Sequence, residues 1–467
     1  MSQGSSLVRP RKVTGDGTGL ATHAGLEWLA ETADLTGMTA GFSEAMRGLG
    51  GRRHDPGRTL TQVVLALADG ATCLADLAVL RNQPAMFGPV ASDPTVWRTF
   101  DRVGPAEFRR LDIARRDARA RAWAAGAGPA GDVIIDIDGT LITTKTDKQD
   151  AAPNYKRTYG HHPLLAMIAE TGEMLCGIMR PGNAGANNAA DHITVLDAAV
   201  AQLPDAWAAG HGLGDDPTLI QHRLVIRADA GGANHWLTEE ARLRNAEFSI
   251  GYSIDQRVRD AIMLCQDDAW VPAINTDGRP RAGAEVIELT GLVNLDAWPE
   301  RTRLIVRRER PHPGAQLTLF DTIEGRRHTA FITDTAGGDI AGLELRQRQR
   351  ARAENVIRDT KACGLANLPF DCIVSNDLWM QLCFAANDLL CWARRIGCAG
   401  TAMAKAAPKT VRHRFLTVAG RVTPTGRVLH LDQHWPWTTQ LLAAIGRIRT
   451  AFASLTVTTR ISTPTAV

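Results

Sequence analysis

The chain has 467 residues, 44% of them hydrophobic, enough for two or three domains with sizeable buried cores. No run approaches the roughly 20 apolar residues of a membrane helix, and the opening MSQGSSLVRPRKV lacks the apolar centre of a signal peptide. A cytoplasmic protein with no membrane partner is therefore expected. The formal net charge is +3, but it is unevenly spread. Beyond residue 400 stand Lys405, Lys409, Arg412, Arg414, Arg421, Arg427, Arg447, Arg449 and Arg460 against the single acid Asp432. With further arginine clusters at 301–310 and 346–358, this distribution leans towards a polyanionic partner such as nucleic acid, although each cluster alone also fits a solvated helix face or strand edge.

Residues 1–125 predict a helical N-terminal domain, from the helix-spaced apolar residues in LEWLAETADLTGM and TLTQVVLALADGATCLADLAVL. Ser92, Asp93 and Pro94 form a helix start ahead of TVWRTF, because a polar cap followed by proline is pre-organised for a first turn. A short helix carrying Thr95, Trp97 and Arg98 after a helical pair is a candidate DNA-reading element, with ordinary helix packing as the plainer reading.

The cluster Gly126 to Gly131 marks a linker into a new domain. There the strand Val133 to Asp138 is followed by a hairpin, Leu164 to Ala169 and Met174 to Met179, turning at Thr171-Gly172. A helix from Asn188 to Leu203, a strand Arg223 to Arg227 leading to Asp229, a helix from Ala233 to Asn245 and a strand Glu247 to Ile254 complete the order. Three strands, helix, strand, helix, strand is the order of a ribonuclease-H-like α/β mixed-sheet core, assigned here to 126–255.

Residues 256–340 change to short β-like pieces at Val286 to Leu289, Leu304 to Arg307, Leu317 to Phe320 and Thr329 to Thr333. They read as an inserted β-rich unit that splits the core, which resumes at 341–395 with two long helical patterns. A basic region, 396–467, ends the chain. The eight cysteines show no C-x-x-C pair and no histidines at zinc spacing, and are expected as reduced, mostly buried thiols.

Phosphodiester transfer by two metal ions needs carboxylates that converge on hard cations held a few ångströms apart. Asp138 and Asp229 end apolar strands that would pair as neighbours, and strand ends hold ligands rigidly. In ELRQRQRARAENVIRDTK, an ideal α-helix would set Gln347, Arg350, Glu354 and Lys361 on one face. An exposed helix laced with ion pairs, such as Glu354 with Arg358, is the plainer reading of that segment.

Together, Asp138-Gly139-Thr140, Arg227-Ala228-Asp229-Ala230-Gly231, the long β-rich gap and the spacing Arg350, Glu354, Lys361 resemble a bacterial insertion-sequence transposase of the DDE group with a Tyr-Arg-Glu-Lys signature helix. The resemblance is closest to insertion-sequence family thirteen-eighty. SNDLWMQLCFAANDLLCWARR and RHRFLTVAGRV add to it, so that it spans nearly the whole chain.

The resemblance implies a ribonuclease-H-like core and Mg2+ dependence, with Mn2+ able to substitute. It also implies recognition of terminal inverted repeats, action on target DNA and a homo-oligomer on paired ends. It makes Asp138, Asp229 and Glu354 the catalytic metal ligands, Arg350 a supporting base near the scissile strand and Lys361 a phosphate contact. Gln347 stands where the signature has tyrosine; its amide can still donate a hydrogen bond to DNA. Related enzymes hold a displaced base on an aromatic side chain of the insertion, for which Trp298 and Trp270 are candidates and core packing is the alternative.

The segment Val133 to Leu141 also matches the first motif of haloacid-dehalogenase-type phosphatases, with Asp136 as nucleophile and Asp138 as general acid. Their later motifs are missing. Ile373-Val374-Ser375 can imitate the second, but Asp377, Asp388 and Asp432 are widely separated, and Asp215-Asp216 follows HGLG rather than an apolar strand. A catalytically inactive DNA-binding protein with structural acids is the third reading.

Overall fold

The structure is a computed structural model and describes residues 12, 18–50, 53–144, 148–311, 313–315 and 317–461, with side chains to 455. Apart from Lys12, the N-terminal stretch used to exclude a signal peptide lies outside the described residues, as does the Arg460 side chain.

A two-residue strand, β1 (Leu20–Ala21), precedes the N-terminal helices α1 (Leu26–Leu35), α2 (Met38–Ala45) and α3 (Pro56–Asp69). The Asp55 carboxylate accepts the Arg58 amide at the start of α3, where Pro56 occupies the first turn, and Gly70 at φ 109° ends it. Two one-turn helices lead to α4 (Asp93–Arg102), which begins at Ser92 and Pro94 as expected and buries Val96, Thr99 and Phe100. α5 (Pro105–Ala122) ends in a π-turn where Gly126 takes φ 100°, and the chain leaves helix for strand at the anticipated break.

Next come β2 (Val133–Gly139), the short β3 (Ile142–Thr143), β4 (Ala152–Pro153) and β5 (Tyr159–His161), and the hairpin β6 (Leu164–Ile168) and β7 (Met174–Ile178). α6 (Ala189–Ala201) is capped by Asn188 and followed by β8 (Leu224–Ala228). α7 (His235–Leu243), capped by Asn234, leads to β9 (Glu247–Tyr252) and α8 (Gln256–Leu264). The small sheet β3-β5-β4 was not anticipated, because its strands are two or three residues long and carry no alternation.

Four further strands follow: β10 (Val271–Ile274), β11 (Pro280–Glu288), β12 (Arg303–Glu309) and β13 (Arg327–Thr333). They do not form a detached unit. β13 pairs antiparallel with β9, so one nine-stranded sheet runs β10-β11-β12-β13-β9-β8-β2-β6-β7, parallel only among β2, β8 and β9. The expected strand at Leu317 to Phe320 is instead helix α9 (Leu319–Glu324). Its cause is a capping box: Thr318 Oγ1 accepts the Asp321 amide while the Asp321 carboxylate accepts the Thr318 amide, each at 3.1 Å.

The long helical pattern after 340 is broken. α10 (Ile340–Arg348) passes through a 3-10 turn at Gln349–Arg352 into α11 (Ala353–Thr360), and a π-turn at Lys361–Leu365 follows, with Gly364 at φ 100°. α12 (Ile373–Gly397) is the buried axle of the molecule, packed on α1, α3, β7 and the C-terminal α13 (Thr438–Ile461). Before α13, β14 (Gly420–Val422) pairs with both β15 (Leu429–Leu431) and the distant β1.

The N-terminal helices are tied to the sheet by a buried polar network. Arg115 and Arg119 of α5 both reach the Asp388 carboxylate of α12, at 3.1 and 2.8 Å, and both donate to the Met174 carbonyl. Glu173, at the β6–β7 turn, accepts from Arg119, Trp123 and Trp392. These groups are fully buried, so each charge depends on its partners for the hydration it has lost.

Most of the arginine clusters are also used internally. Arg303 pairs with Glu288, Arg307 with Glu344, Arg308 with Glu285 and Asp267, Arg348 with Glu344, and Arg449 with Glu31, while Arg412 caps the Leu67, Ala68 and Ala362 carbonyls. All eight cysteines are free. Among the described residues no single helix is long and apolar enough to cross a membrane. α3 with the turns after it passes that test only as a pair bent by 98°.

Two stability predictions follow from buried charge. Asp388→Ala leaves two buried guanidinium groups without their shared carboxylate and should cost about 3–5 kcal/mol in urea unfolding. Asp377 of α12 has a buried Oδ1 without a hydrogen bond, and burial, reinforced by Asp112, pushes its carboxyl up to about 7. The proton is thus held more tightly folded than unfolded, and stability falls as pH rises from the ordinary carboxylate range through about 7. Asp377→Asn should raise the melting temperature near pH 8 and leave it unchanged near pH 4, as followed by scanning calorimetry.

Candidate active site

The parallel register of β2 and β8 sets Asp136 against Arg227 and Ile137 against Ala228, so Asp138 and Asp229 follow at the same level where the two strands end. Side chains two apart share a sheet face. Asp136 and Asp138 therefore lie on one face with Arg227 and Asp229, while Ile135, Ile137 and Ala228 fill the core on the other.

The deeper pair is an ion pair with almost no solvent contact. Arg227 donates from Nε and Nη2 to the two Asp136 oxygens at 2.6 and 2.7 Å, and its Nη1 donates to the Arg346 carbonyl near the end of α10. Gln347 completes the attachment: Ser249 donates to its Oε1 at 2.8 Å, and its Nε2 donates to the Ala228 carbonyl at 3.3 Å. Both ends of the Gln347 amide are thus engaged with β8 and β9.

One turn further on, Arg350 leans over the strand ends. Its Nη2 lies 3.0 Å from Asp138 Oδ2 and 3.8 Å from Asp229 Oδ2, outside the direction of a proper hydrogen bond. Burial pushes the Asp138 carboxyl up to about 6; Arg350 opposes the shift and Asp229 adds to it. Asp229 is half exposed and accepts the Gly232 amide at 3.0 Å, which fixes its turn. Gly251 of β9 packs against that turn so closely that a Cβ would stand 2.6 Å from the Ala230 nitrogen.

The remaining expected residues are placed separately. Glu354 is exposed in the first turn of α11, without an ion-pair or hydrogen-bond partner among the described residues. A 3-10 turn at Gln349–Arg352 stands between it and Gln347, so the segment is not the continuous α-helix from which the one-face spacing was read. Among the described residues no three His, Cys, Asp or Glu side chains are arranged to hold a metal ion.

Lys361 donates to the Leu141 carbonyl at 2.8 Å, just past the Asp138 strand, and burial, with Lys156 nearby, lowers its ammonium from the ordinary range. Trp298 is half buried against His235 and Tyr252, with ring centroids at 4.1 and 5.9 Å. Trp270 is buried under Arg308. Arg98 is exposed on α4, far along the chain from the acids, and its Nε donates to the Pro94 carbonyl.

Sequence reasoning missed two neighbours of the aspartates. His162 lies with Nε2 against Gly139, and His192 with Nε2 beside Gly232. Each ring's Nδ1 is tied to a backbone carbonyl, of Ala184 and Asn188 respectively, and burial lowers the pKa of both. The available signal was His161-His162-Pro163 standing just before the strand that pairs with β2.

Two carboxylates converge at the ends of neighbouring strands, and one of them is poorly compensated by a single guanidinium. The family model described as transposase DDE domain, group 1, matches residues 6–453, and the chain belongs to that family. It is a DDE transposase, and enzymes of this family use divalent metal ions. No match was found among curated proteins. Among solved structures, the chain is similar to the piggyBac transposase synaptic complex with hairpin DNA, determined by cryo-EM. That distant likeness has a TM-score of 0.39 and 10% identity, over 97% of this chain and 84% of that one.

The Asp138–Asp229 pair fits a hard divalent cation, because oxygen donors at rigid strand ends are left with incomplete charge compensation. The close packing of Gly251 yields a direct check. Gly251→Ala should push the Asp229 turn aside and cut transposition by about a hundredfold, as expected for a misplacement near 1 Å, with the circular-dichroism spectrum of the folded protein retained.

Proposed function

We propose that this transposase cuts and rejoins DNA strands at the terminal inverted repeats of an insertion sequence of bacterial family thirteen-eighty, with Asp138, Asp229 and Glu354 as its metal ligands. The observation that carries the reading is the aspartate pair on adjacent parallel strand ends beneath Arg350. The order β7-β6-β2-β8-β9, antiparallel in its first two strands and parallel in the last three, supports a ribonuclease-H-like core. In domain terms, 1–125 serves DNA ends, 126–255 and 341–395 form the core, 256–340 is an insertion whose strands extend the core sheet, and 396–467 is a basic C-terminal region.

Mg2+, or Mn2+ in its place, would be held by Asp138 and Asp229 with Glu354 as third ligand, supplying activation of the attacking oxygen and stabilisation of the leaving one. The chain's own groups do the rest. Arg350 steadies the two aspartates and is placed to meet the scissile strand, and Arg227 and Gln347 hold the helix that carries it. Lys361, beside Leu141, is positioned for a phosphate. Trp298 offers a half-exposed ring for a displaced base, and Arg98 a contact to DNA away from the cut. The enzyme acts on its element's ends and on target DNA as a homo-oligomer, in the cytoplasm.

The phosphatase reading finds no support, because Asp136 is fully buried with both oxygens engaged by Arg227 and cannot meet a substrate. The reading as an inactive DNA-binding protein is separated by experiment. Glu354→Gln should abolish Mg2+-dependent nicking of DNA carrying the element ends and leave the affinity for that DNA unchanged. Nicking by the variant at the parent's rate would remove Glu354 from the site.

A further inference from the structure

The N-terminal helices contain a surface cavity of about 650 Å³, remote in sequence from the acids, of whose lining only Arg98 has a role above. Arg53, His54, Arg81, Arg98 and Arg102 line it. Among the described residues Asp101 is the one acid on its wall, and Arg81 is paired with Asp93. Arg98 and Arg102 are exposed, and each has a guanidinium nitrogen on a backbone carbonyl, of Pro94 and Gly50, which fixes its direction and leaves other donors free. The Ser92 and Thr95 hydroxyls at the start of α4 also line the cavity, bonded to each other at 3.1 Å, and Thr95 accepts from Arg98 Nη2 at 3.4 Å. Among the described residues no Phe, Tyr or Trp lines the cavity to stack a base, so its chemistry suits a phosphate backbone and not a free nucleotide.

Two separate contacts tie segments near the aspartates and near this cavity. Past the end of β2, Leu141 meets Lys361. Lys148 donates to the Phe370 carbonyl, and the Phe370 ring packs on Trp97 at 4.7 Å. Trp97, 44% exposed on α4, immediately precedes Arg98. The buried Phe370 ring thus backs the exposed Trp97 beside the arginine cavity.

We propose that the Arg53–Arg98–Arg102 cavity is a seat for the sugar-phosphate backbone of duplex DNA, which gives the enzyme a grip on DNA away from the bond it cuts. This rests on the transposase reading for the identity of the polymer, but not on the assignment of the three acids.

The test uses the full-length protein and a fluorescein-labelled duplex of arbitrary sequence, with affinity measured by anisotropy across a range of KCl concentrations. R98Q/R102Q should lower the slope of log affinity against log salt by about 2, since each lost phosphate contact removes close to one unit, with an unchanged melting temperature. R421Q/R427Q, on the small sheet at the far end of the chain, should keep the parent's slope. A parental slope in R98Q/R102Q, or a loss transferred to R421Q/R427Q, overturns the proposal. A parent that nicks no DNA but shows the slope change in R98Q/R102Q overturns the catalytic assignment and supports this one. A parent that nicks DNA with no slope change in that variant overturns this one alone.

Discussion

The bidentate pair between Asp136 and Arg227 is the contact on which the site is built. Buried ion pairs add little net stability, because the desolvation of both groups offsets their attraction, but they specify position strongly. A one-residue slip between β2 and β8 would turn one partner to the opposite face and leave two isolated charges in the core. The pair therefore fixes the register that sets Asp138 beside Asp229. Through the third nitrogen of Arg227 it also holds the end of α10, so two strands and the helix that crosses them are located by one guanidinium.

Around this contact the charges are graded by depth. At the bottom, Asp136 and Arg227 neutralise each other and exclude water. A level higher, Asp138 and Asp229 face a single guanidinium at imperfect geometry, and negative charge is left over at the mouth. The opposite side of the same strands is plain hydrocarbon, which lets the polar face be specialised without loosening the core. A second buried network, centred on Asp388 and Glu173, repeats the principle at the other end of the sheet, where it fastens α5 to α12. The helices at the front of the chain and the central sheet share one hydrophobic cluster.

Much of this was legible in the sequence, for physical reasons that differ from element to element. The strands ending at Asp138 and Asp229 were readable because apolar runs stop abruptly at charge, and α4 and α6 because Ser92, Pro94 and Asn188 announce their starts. Leu317 to Phe320 was misread because a local capping box outweighs a short apolar alternation. The strands of 256–340 were found, but their membership in the central sheet was not, since pairing between β13 and β9 spans about eighty residues and leaves no local trace. The 3-10 turn at Gln349–Arg352 was invisible to helix periodicity. The basic clusters misled in a different way: composition counts charges, whereas only the fold reveals that Arg303, Arg307, Arg308 and Arg348 already have carboxylate partners.

The pairing of β1 with β14 has a consequence for how the molecule comes into being. Leu20 meets Arg421, so the first strand to leave the ribosome has no partner until some four hundred further residues have been made. The N-terminal helices must wait in the same way for α12, which supplies the surface they pack on. Contacts of such long sequence separation form late and slowly. A prematurely ended chain therefore leaves these helices without their core, and translation must run nearly to the end before the protein can close.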